Sequence, residues 1–436
     1  MPASRLFCAI GAVSSFVLML ICCIATGQDP DSASKTPATT ALVETAGNQP
    51  VVQSNAVSAT GLQGGLIVQL GSSDVSTAAK LSKTGRYLFH VIGKDADSIS
   101  AAQKLIHKNG RYGLSWAEHT NQPDRLPYAE NVVNLIIIRD YSIPLPELLR
   151  VLTPGGSIVV TNPEIMSSTA LSDIGLTSPE QQENYIVAVK RWPMEMDVWS
   201  HPRHAADGNA VSNDTLVGPP ERVRWIAAAT SEVEGMVTSG GRNFYGGILA
   251  RDSFNGLRLW HRDLAKSEEN NPSDFVLPRL PSNGSRPIAS QRHLFALIKG
   301  RPVTLNAATG EVVAQWSDMT SVTHLLHDGD RVIATDANTV RAIDPATGKE
   351  FWQVKVAEPR NVVTDGQLIA LIAGRVKRGE QAVAMVLDAK TGNVRWQRDD
   401  YTWLTLTTRT VLAKGQLVFE VSTLNDHDAG NGIHVV

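Results

Sequence analysis

The chain has 436 residues, and at roughly 150 residues per domain that length excludes a single small module. Forty Lys and Arg against 43 Asp and Glu leave a net charge of −3, without the basic excess that drives nucleic-acid binding, so no nucleic-acid partner is expected. A hydrophobic content of 42% is enough for packed cores, and 34 Gly with 22 Pro mark many turns without reaching the composition of disordered or collagenous chains.

Arg5 is followed by a mostly apolar run, 6–24, and then by Ala25-Thr26-Gly27, small residues that suit signal-peptidase cleavage before Gln28. Residues 1–27 are therefore read as a signal peptide. The run also reaches membrane-spanning length, which leaves an uncleaved inner-membrane anchor as the alternative. Either way the bulk of the chain is expected in the periplasm or cell envelope, touching membrane only through this segment. Cys8, Cys22 and Cys23 all lie in it, so a cleaved chain has no thiol for disulfides, thiolate metal sites, nucleophilic catalysis or haem attachment. Residues 28–61 are rich in Ser, Thr, Ala and Pro with no aromatic residue, and read as a disordered linker.

Residues 62–165 alternate strand and helix patterns. GLIVQL at 65–70 and VVNLIII at 132–138 are nearly continuous apolar runs, as in parallel strands covered on both faces. Residues 87–92 read as a further strand. Asp97 is placed to cap a helix whose Ile99, Ala102, Leu105 and Ile106 share one stripe, with Gly110 closing it in the left-handed conformation. A short helix over 147–152 runs into the turn Pro154-Gly155-Gly156 and a strand over 157–161. The alternation predicts a doubly wound, Rossmann-like α/β sheet.

IVQLGSSD at 67–74, LPYAENVVNLIIIRD at 126–140 and ELLRVLTPGGSIVV at 147–160 resemble a class I S-adenosylmethionine-dependent methyltransferase. In that family the first strand ends in an acidic-x-Gly-x-Gly-x-Gly loop, because only glycine lets backbone amides come close to the cofactor. Gln69, Gly71, Ser73 and Val75 occupy those positions, so Gly71 alone keeps the family's residue. The resemblance implies that Asp95 or Asp97 would hold the ribose hydroxyls of S-adenosylmethionine. The plainer reading makes Asp97 a helix cap and Asp95 a solvated loop acid. The segment reads as a retained scaffold with a degenerate cofactor loop.

A junction is expected over 166–220. Its stretch KRWPMEMDVWSHPRHAADGNAVSNDTLVGPPERVRW at 190–225 places His201, His204, Asp207 and Asn209 close together. The imidazoles of His201 and His204 with the carboxylate of Asp207 could ligate one divalent ion. Alternatively, Trp192 and Trp199 pack this lead-in while His and Asp hydrogen-bond an irregular backbone.

Residues 221–436 carry a repeat: ARDSFNGLRLW (250–260), LNAATGEVVAQW (305–316), IDPATGKEFW (343–352) and LDAKTGNVRW (387–396). Asp252, Asn306, Asp344 and Asp388 each precede by four residues a glycine: Gly256, Gly310, Gly348 and Gly392. Trp260, Trp352 and Trp396 follow their glycines by four, Trp316 by six. The Asp or Asn side chain can bond the amides of a tight turn and the glycine can take positive φ at its exit, giving β-hairpins that end in a large aromatic. With a further strand beside each hairpin, as in DGDRVIAT (328–335), DGQLIALIA (365–373) and KGQLVFEV (414–421), each repeat makes one propeller blade. The tryptophans are then wedges between blades.

This signature resembles the tryptophan-docking motif of pyrroloquinoline-quinone (PQQ)-type propellers. That superfamily includes quinoprotein dehydrogenases and a non-catalytic propeller of the bacterial outer-membrane assembly machinery. The succession of degenerate methyltransferase-like module, W-S-H-x-x-H-A-A-D-G-N junction and propeller also resembles a group of large exported bacterial proteins. The segment predicts about five blades, fewer than relatives have: either the ring is incomplete, or the chain is a shortened version that ends in IHVV without an obvious closing strand. Quinoproteins of this kind stack PQQ on a vicinal disulfide and hold calcium with a Glu/Asn/Asp set. Here Cys22-Cys23 lies in the leader, and no run matches the calcium set. The leading expectation is an exported scaffold or binding protein with a protein, envelope or saccharide partner. The enzymatic alternatives are a PQQ- and calcium-dependent oxidoreductase and an S-adenosylmethionine-dependent methyltransferase.

Overall fold

A computed structural model describes residues 56–436 except 123, 173–174, 178, 183, 220–222, 228–235, 246–248, 263–286, 299–300, 317, 375–381, 405–407 and 422–431. The leader and nearly all of the expected linker lie outside the described residues. Among the described residues no helix is long and apolar enough to cross a membrane.

The first half is a seven-stranded sheet: β1 (Gly65–Leu70), β2 (Tyr87–Gly93), β3 (Ser115–His119), β4 (Val133–Ile138), β5 (Leu152–Val160), β6 (Glu180–Gln181) and β7 (Ile186–Val189). Its order is β3-β2-β1-β4-β5-β7-β6. β1 to β5 pair in parallel, and β7 runs antiparallel to β5 and β6. Every residue of β1 and of β4 is buried, as their unbroken apolar runs require of strands packed on both faces. One face packs Val68, Leu70, Ile136 and Leu148, the other Ile67, Phe89, Leu135 and Ile106. The order reverses between β1 and β4, so a crevice opens at their carboxyl ends.

Several expectations change at this level. Asp95, not Asp97, caps the helix Ala96–Lys108: its backbone is extended and its Oδ2 accepts from Ser98 N at 2.7 Å. Asp97 sits in the first turn. Ile99, Ala102 and Ile106 are buried, whereas Leu105 is 43% exposed, because it falls off the edge of the stripe. The second helix spans Leu145–Val151, and Pro154-Gly155-Gly156 is a kink inside β5. There Gly155 takes φ +73°, and the pairing with β4 shifts register. The sheet also extends beyond 165 through β7, whose Ile-Val-Ala-Val run pairs with β5. Residues 56–59 of the expected linker form a helical turn in which Ala56 and Val57 are buried, since both can pack with Ile67 and Phe89.

Five small antiparallel sheets follow, four of four strands and one of three. They are β8 (Met236–Ser239), β9 (Arg242–Tyr245), β10 (Leu249–Asp252) and β11 (Arg258–His261); β12 (Ile288–Ala289), β13 (His293–Ile298), β14 (Arg301–Asn306) and β15 (Val312–Gln315); and β16 (His324–His327), β17 (Val332–Thr335), β18 (Thr339–Ile343) and β19 (Glu350–Lys355). Next come β20 (Arg360–Thr364), β21 (Leu368–Ala373), β22 (Val383–Asp388) and β23 (Val394–Arg398), then β24 (Arg409–Ala413), β25 (Gln416–Val421) and β26 (Gly432–Val435). The first strands of successive sheets, β8, β12, β16, β20 and β24, contact one another in that order, as blades arranged side by side do. No strand of the fifth sheet pairs with the first among the described residues.

The repeat's chemistry is local. Oδ1 of Asp252, Asn306, Asp344 and Asp388 accepts from the amides two and three residues on, at 2.8–3.2 Å. Gly256, Gly310, Gly348 and Gly392 have φ of +72° to +75°, which side chains resist. Each glycine also lies under the preceding tryptophan: a Cβ there would approach Trp225, Trp260, Trp316 and Trp352 respectively to 2.4–2.7 Å. Trp225, from the junction, thus docks on the first blade as a preceding blade's tryptophan would. Trp316 docks despite its two-residue offset.

The two halves meet at several places, among them a buried amide. Asn134 Nδ2 donates to Asp252 Oδ2 at 2.7 Å, while its Oδ1 accepts from Leu66 N and Asn255 Nδ2, both at 2.8 Å. The first blade's turn is thereby joined to β1 and β4.

Candidate functional site

The junction residues 199–208 hold a place that the sequence does not announce. Each blade's first strand has an edge with no neighbouring strand, and its amides need acceptors. The junction supplies one to every blade. Thr238 N of β8 donates to Trp199 O at 2.7 Å, and Ala289 N of β12 to Ser200 O at 2.9 Å. His327 N of β16 donates to His201 Nε2 at 3.1 Å. Thr364 N of β20 and Leu412 N of β24 donate to Ala206 O and Asp207 O, both at 2.9 Å. One stretch of chain therefore runs past the inner edges of all five blades.

Its polar residues serve that path. His201 is 3% exposed and His204 5%, and their backbones bond each other in both directions at 3.1 Å. Because His201 Nε2 accepts an amide proton, its own proton sits on Nδ1, 2.8 Å from Ser200 Oγ. Burial, with His327 and His204 nearby, pushes the His201 pKa down to about 3. His204, at φ +72°, meets Asp197 Oδ2 through Nε2 at 2.6 Å. Burial acts to raise the Asp197 carboxyl, but the amides of Asn213 and Val198, with His204 and Ser212, outweigh it and hold it at about 2. Asp207 Oδ1 accepts from Asn209 N at 2.9 Å.

The expected ligand set of His201, His204 and Asp207 is thus not assembled. Both nitrogens of His201, Nε2 of His204 and Oδ1 of Asp207 face partners other than one another. No group of three or more His, Cys, Asp or Glu is placed to hold a metal among the described residues. Of the alternative expectation, only Asp207 bonds a junction amide; His204 pairs with the Asp197 carboxylate and His201 with β16 and the Ser200 hydroxyl.

A pH dependence follows. The unfolded chain protonates His201 near 6.5, whereas the folded chain keeps it neutral down to about 3. Its contribution to stability is complete above pH 6.5 and is lost as pH falls toward 3, where the unfolded state alone takes up the proton. His90, driven by burial to about 4, acts in the same direction. Between pH 7 and pH 5 the His201 contribution is about 2 kcal/mol. Urea midpoints at the two pH values should show His201→Gln, which keeps a neutral acceptor, losing less stability on acidification than the wild type. An equal loss in both would refute the assignment.

At the carboxyl ends of β1 and β4, Asp140 reaches across to the loop after β1. Gly71 has φ +118°, and a Cβ there would meet Asp140 Oδ2 at 2.4 Å, so the Asp140 carboxylate lies over the loop. That carboxylate accepts from Ser73 N at 3.0 Å and from Ser73 Oγ, and Arg139 Nε donates to Ser73 Oγ at 2.7 Å. Gly71 N is bonded to Ile92 O at 2.8 Å. Gln69, where the methyltransferase loop has an acid, is fully buried and donates to Gly71 O and Asp74 O, each at 2.8 Å. Two amides of this loop are thus engaged, Ser73 N by Asp140 and Gly71 N by Ile92 O, and Asp95 caps its helix. These residues do not fit the cofactor.

Sequence reasoning missed Trp225 as a docking residue, Asp197 as the partner of His204, and Asp140 as the cover of Gly71. A tryptophan with no Asp-x-x-x-Gly before it carries no local mark. The Asp140–Ser73 contact joins strands that only folding brings together.

A family model described as outer membrane protein assembly factor BamB matches residues 197–354 and 245–420. No curated protein matches the chain. Among solved structures it is similar to a putative S-adenosyl-L-methionine-dependent methyltransferase from Methanococcus maripaludis, with 16% identity over 33% of this chain and 85% of that one, at a TM-score of 0.29. A second is a SAM-dependent methyltransferase from Aquifex aeolicus, with 17% identity, coverage of 31% and 86%, and a TM-score of 0.25. A third is a quinohemoprotein alcohol dehydrogenase from Pseudomonas putida HK5, with 13% identity, 46% of this chain, 42% of that one and a TM-score of 0.32. The chain spans less than half of that dehydrogenase.

Proposed function

The chain belongs to the family of the outer membrane protein assembly factor BamB, and we propose that it is an exported scaffold that binds a protein partner in the cell envelope. The observation that carries this reading is the path of residues 199–208. Residues 199–208 bond the inner strands of all five blades, where a quinone-dependent enzyme would need a funnel for cofactor and substrate. The engagement of Ser73 N and Oγ by Asp140 supports the same reading for the α/β half. What remains is a rigid body whose blade loops and strand edges offer surface without chemistry, and the family's description favours protein over saccharide as the partner.

Isothermal titration of the purified chain tests this. Neither S-adenosylmethionine nor PQQ with calcium should bind at stoichiometric, micromolar level. A saturable quinone complex with dye-linked alcohol oxidation would replace the scaffold with the oxidoreductase. Micromolar S-adenosylmethionine binding would show that Asp140 leaves the crevice readily.

A further inference from the structure

The first blade carries a cation that its fold does not require. The two-residue turn Gly240-Gly241, with φ of +56° and +73°, joins β8 to β9 and sets Arg242 opposite Asp252 across the β9–β10 pair. Asp252 is the natural counter-ion, but its carboxylate is already committed. Oδ1 accepts from Phe254 N and Asn255 N at 2.8 and 3.0 Å, and Oδ2 from Asn134 Nδ2 at 2.7 Å. In the fourth blade the matching turn acid, Asp388, faces Leu368, so the turn itself does not call for an arginine. Among the described residues the Arg242 guanidinium makes one hydrogen bond, from Nη1 to Gln291 O at 3.1 Å. Burial works against its charge, and Asp252 opposes that effect.

Arg242 lines a cavity of about 290 Å³ shared by the first blade, the junction and the α/β half, at the small end of ligand pockets, which begin at roughly 300 Å³. Thr153 and Ser157 line it from β5 and are 2% and 5% exposed. Neither hydroxyl has a hydrogen-bond partner among the described residues. Trp192 and Phe254 add aromatic rings to the lining, set edge to face with centroids 5.9 Å apart.

Each feature selects a chemistry. The Nε and Nη2 edge of a guanidinium takes a carboxylate through two parallel N–H···O bonds. A single cation with Asp252 across the strand pair suits a monoanion, because a phosphate dianion would leave the cavity with net negative charge. The hydroxyls of Thr153 and Ser157 can pair with ligand hydroxyls, and aromatic rings accept the C–H groups of a saturated ring. We propose that this cavity binds a small hydroxylated carboxylate, of the size and class of a hexuronic acid, with its carboxylate on Nε and Nη2 of Arg242. The site stands on the cavity alone and holds whichever partner the blades bind.

Isothermal titration of the full chain with D-glucuronate and D-galacturonate tests this, with the corresponding uronamides as neutral matches. At least one acid should bind saturably, in the millimolar range or tighter, and its amide at least tenfold more weakly. Arg242→Gln should weaken the acid at least tenfold, and the rise in melting temperature that the acid gives the wild type should vanish in it. The comparison of acid with amide leaves the protein untouched, so it decides the matter even if Arg242→Gln does not fold. Saturation by neither acid, equal binding of acid and amide, or undiminished binding by a folded Arg242→Gln overturns the proposal. Inorganic phosphate binding more tightly than the acid would reassign the cavity to a phosphate and overturn it as well.

Discussion

Gly208→Val should destabilise the protein by about 3 kcal/mol or more, although it alters a residue of neither the sheet nor a blade. Gly208 has φ +78°, and a Cβ there would lie 2.6 Å from Thr410 O and 2.7 Å from Val363 Cγ1. The first of these is backbone of β24 and cannot swing aside. The substitution adds left-handed strain to a clash between the axial segment and two blades. Gly415→Ala is the control, because Gly415 has φ +76° but nothing within 4 Å of its ideal Cβ; it should cost about 1 kcal/mol, the strain alone. Urea denaturation reads both. If Gly208→Val costs no more than the control, the axial segment is not held against the blades as described.

The docking tryptophans should differ in what phenylalanine does to them. Trp260→Ala is expected to cost about 3–5 kcal/mol, the usual penalty for emptying a large aromatic site. Trp260→Phe should cost about 1–2 kcal/mol, since it also strips Ala307 O of the indole N–H at 3.0 Å. Trp316→Phe should cost less than Trp260→Phe. Trp316 is 2% exposed, and its buried Nε1 has no hydrogen-bond partner among the described residues. Its six-residue spacing turns a different edge of the ring to the glycine: Cδ1 and Nε1 approach Gly348, whereas Cδ2 and Cε3 of Trp260 approach Gly310. Phenylalanine removes an orphaned donor there. Thermal melting of the two variants compares them directly, and a larger loss for Trp316→Phe would rule out this account.

Where structure follows from near neighbours, the sequence discloses it. Asp388 caps its turn through residues 390 and 391 and Gly392 closes it, so the hairpin is written in a handful of consecutive letters. That Ser73 and Val75 stand where the resembled methyltransferase loop has glycines is equally visible. What Asp140 does to Gly71 is not, because the contact crosses between neighbouring strands far apart in the chain. The axial stretch is the extreme case. His201 meets His327 across 126 positions, and its two histidines and Asp207 look like ligands because ligation is what such residues do when close together. Their use as hydrogen-bonding groups of a threaded backbone depends on blades not yet made. The confusion of Asp95 with Asp97 is smaller in kind: both suit a cap, and backbone angles decide.

Residues 199–208 precede every blade in the chain, so the ribosome delivers the hub before the spokes. In the folded chain each blade's inner edge meets a carbonyl or an imidazole of this segment. The arrangement of blades is then templated by a short cord that contributes no blade of its own, and neighbour-to-neighbour matching need not carry that task alone.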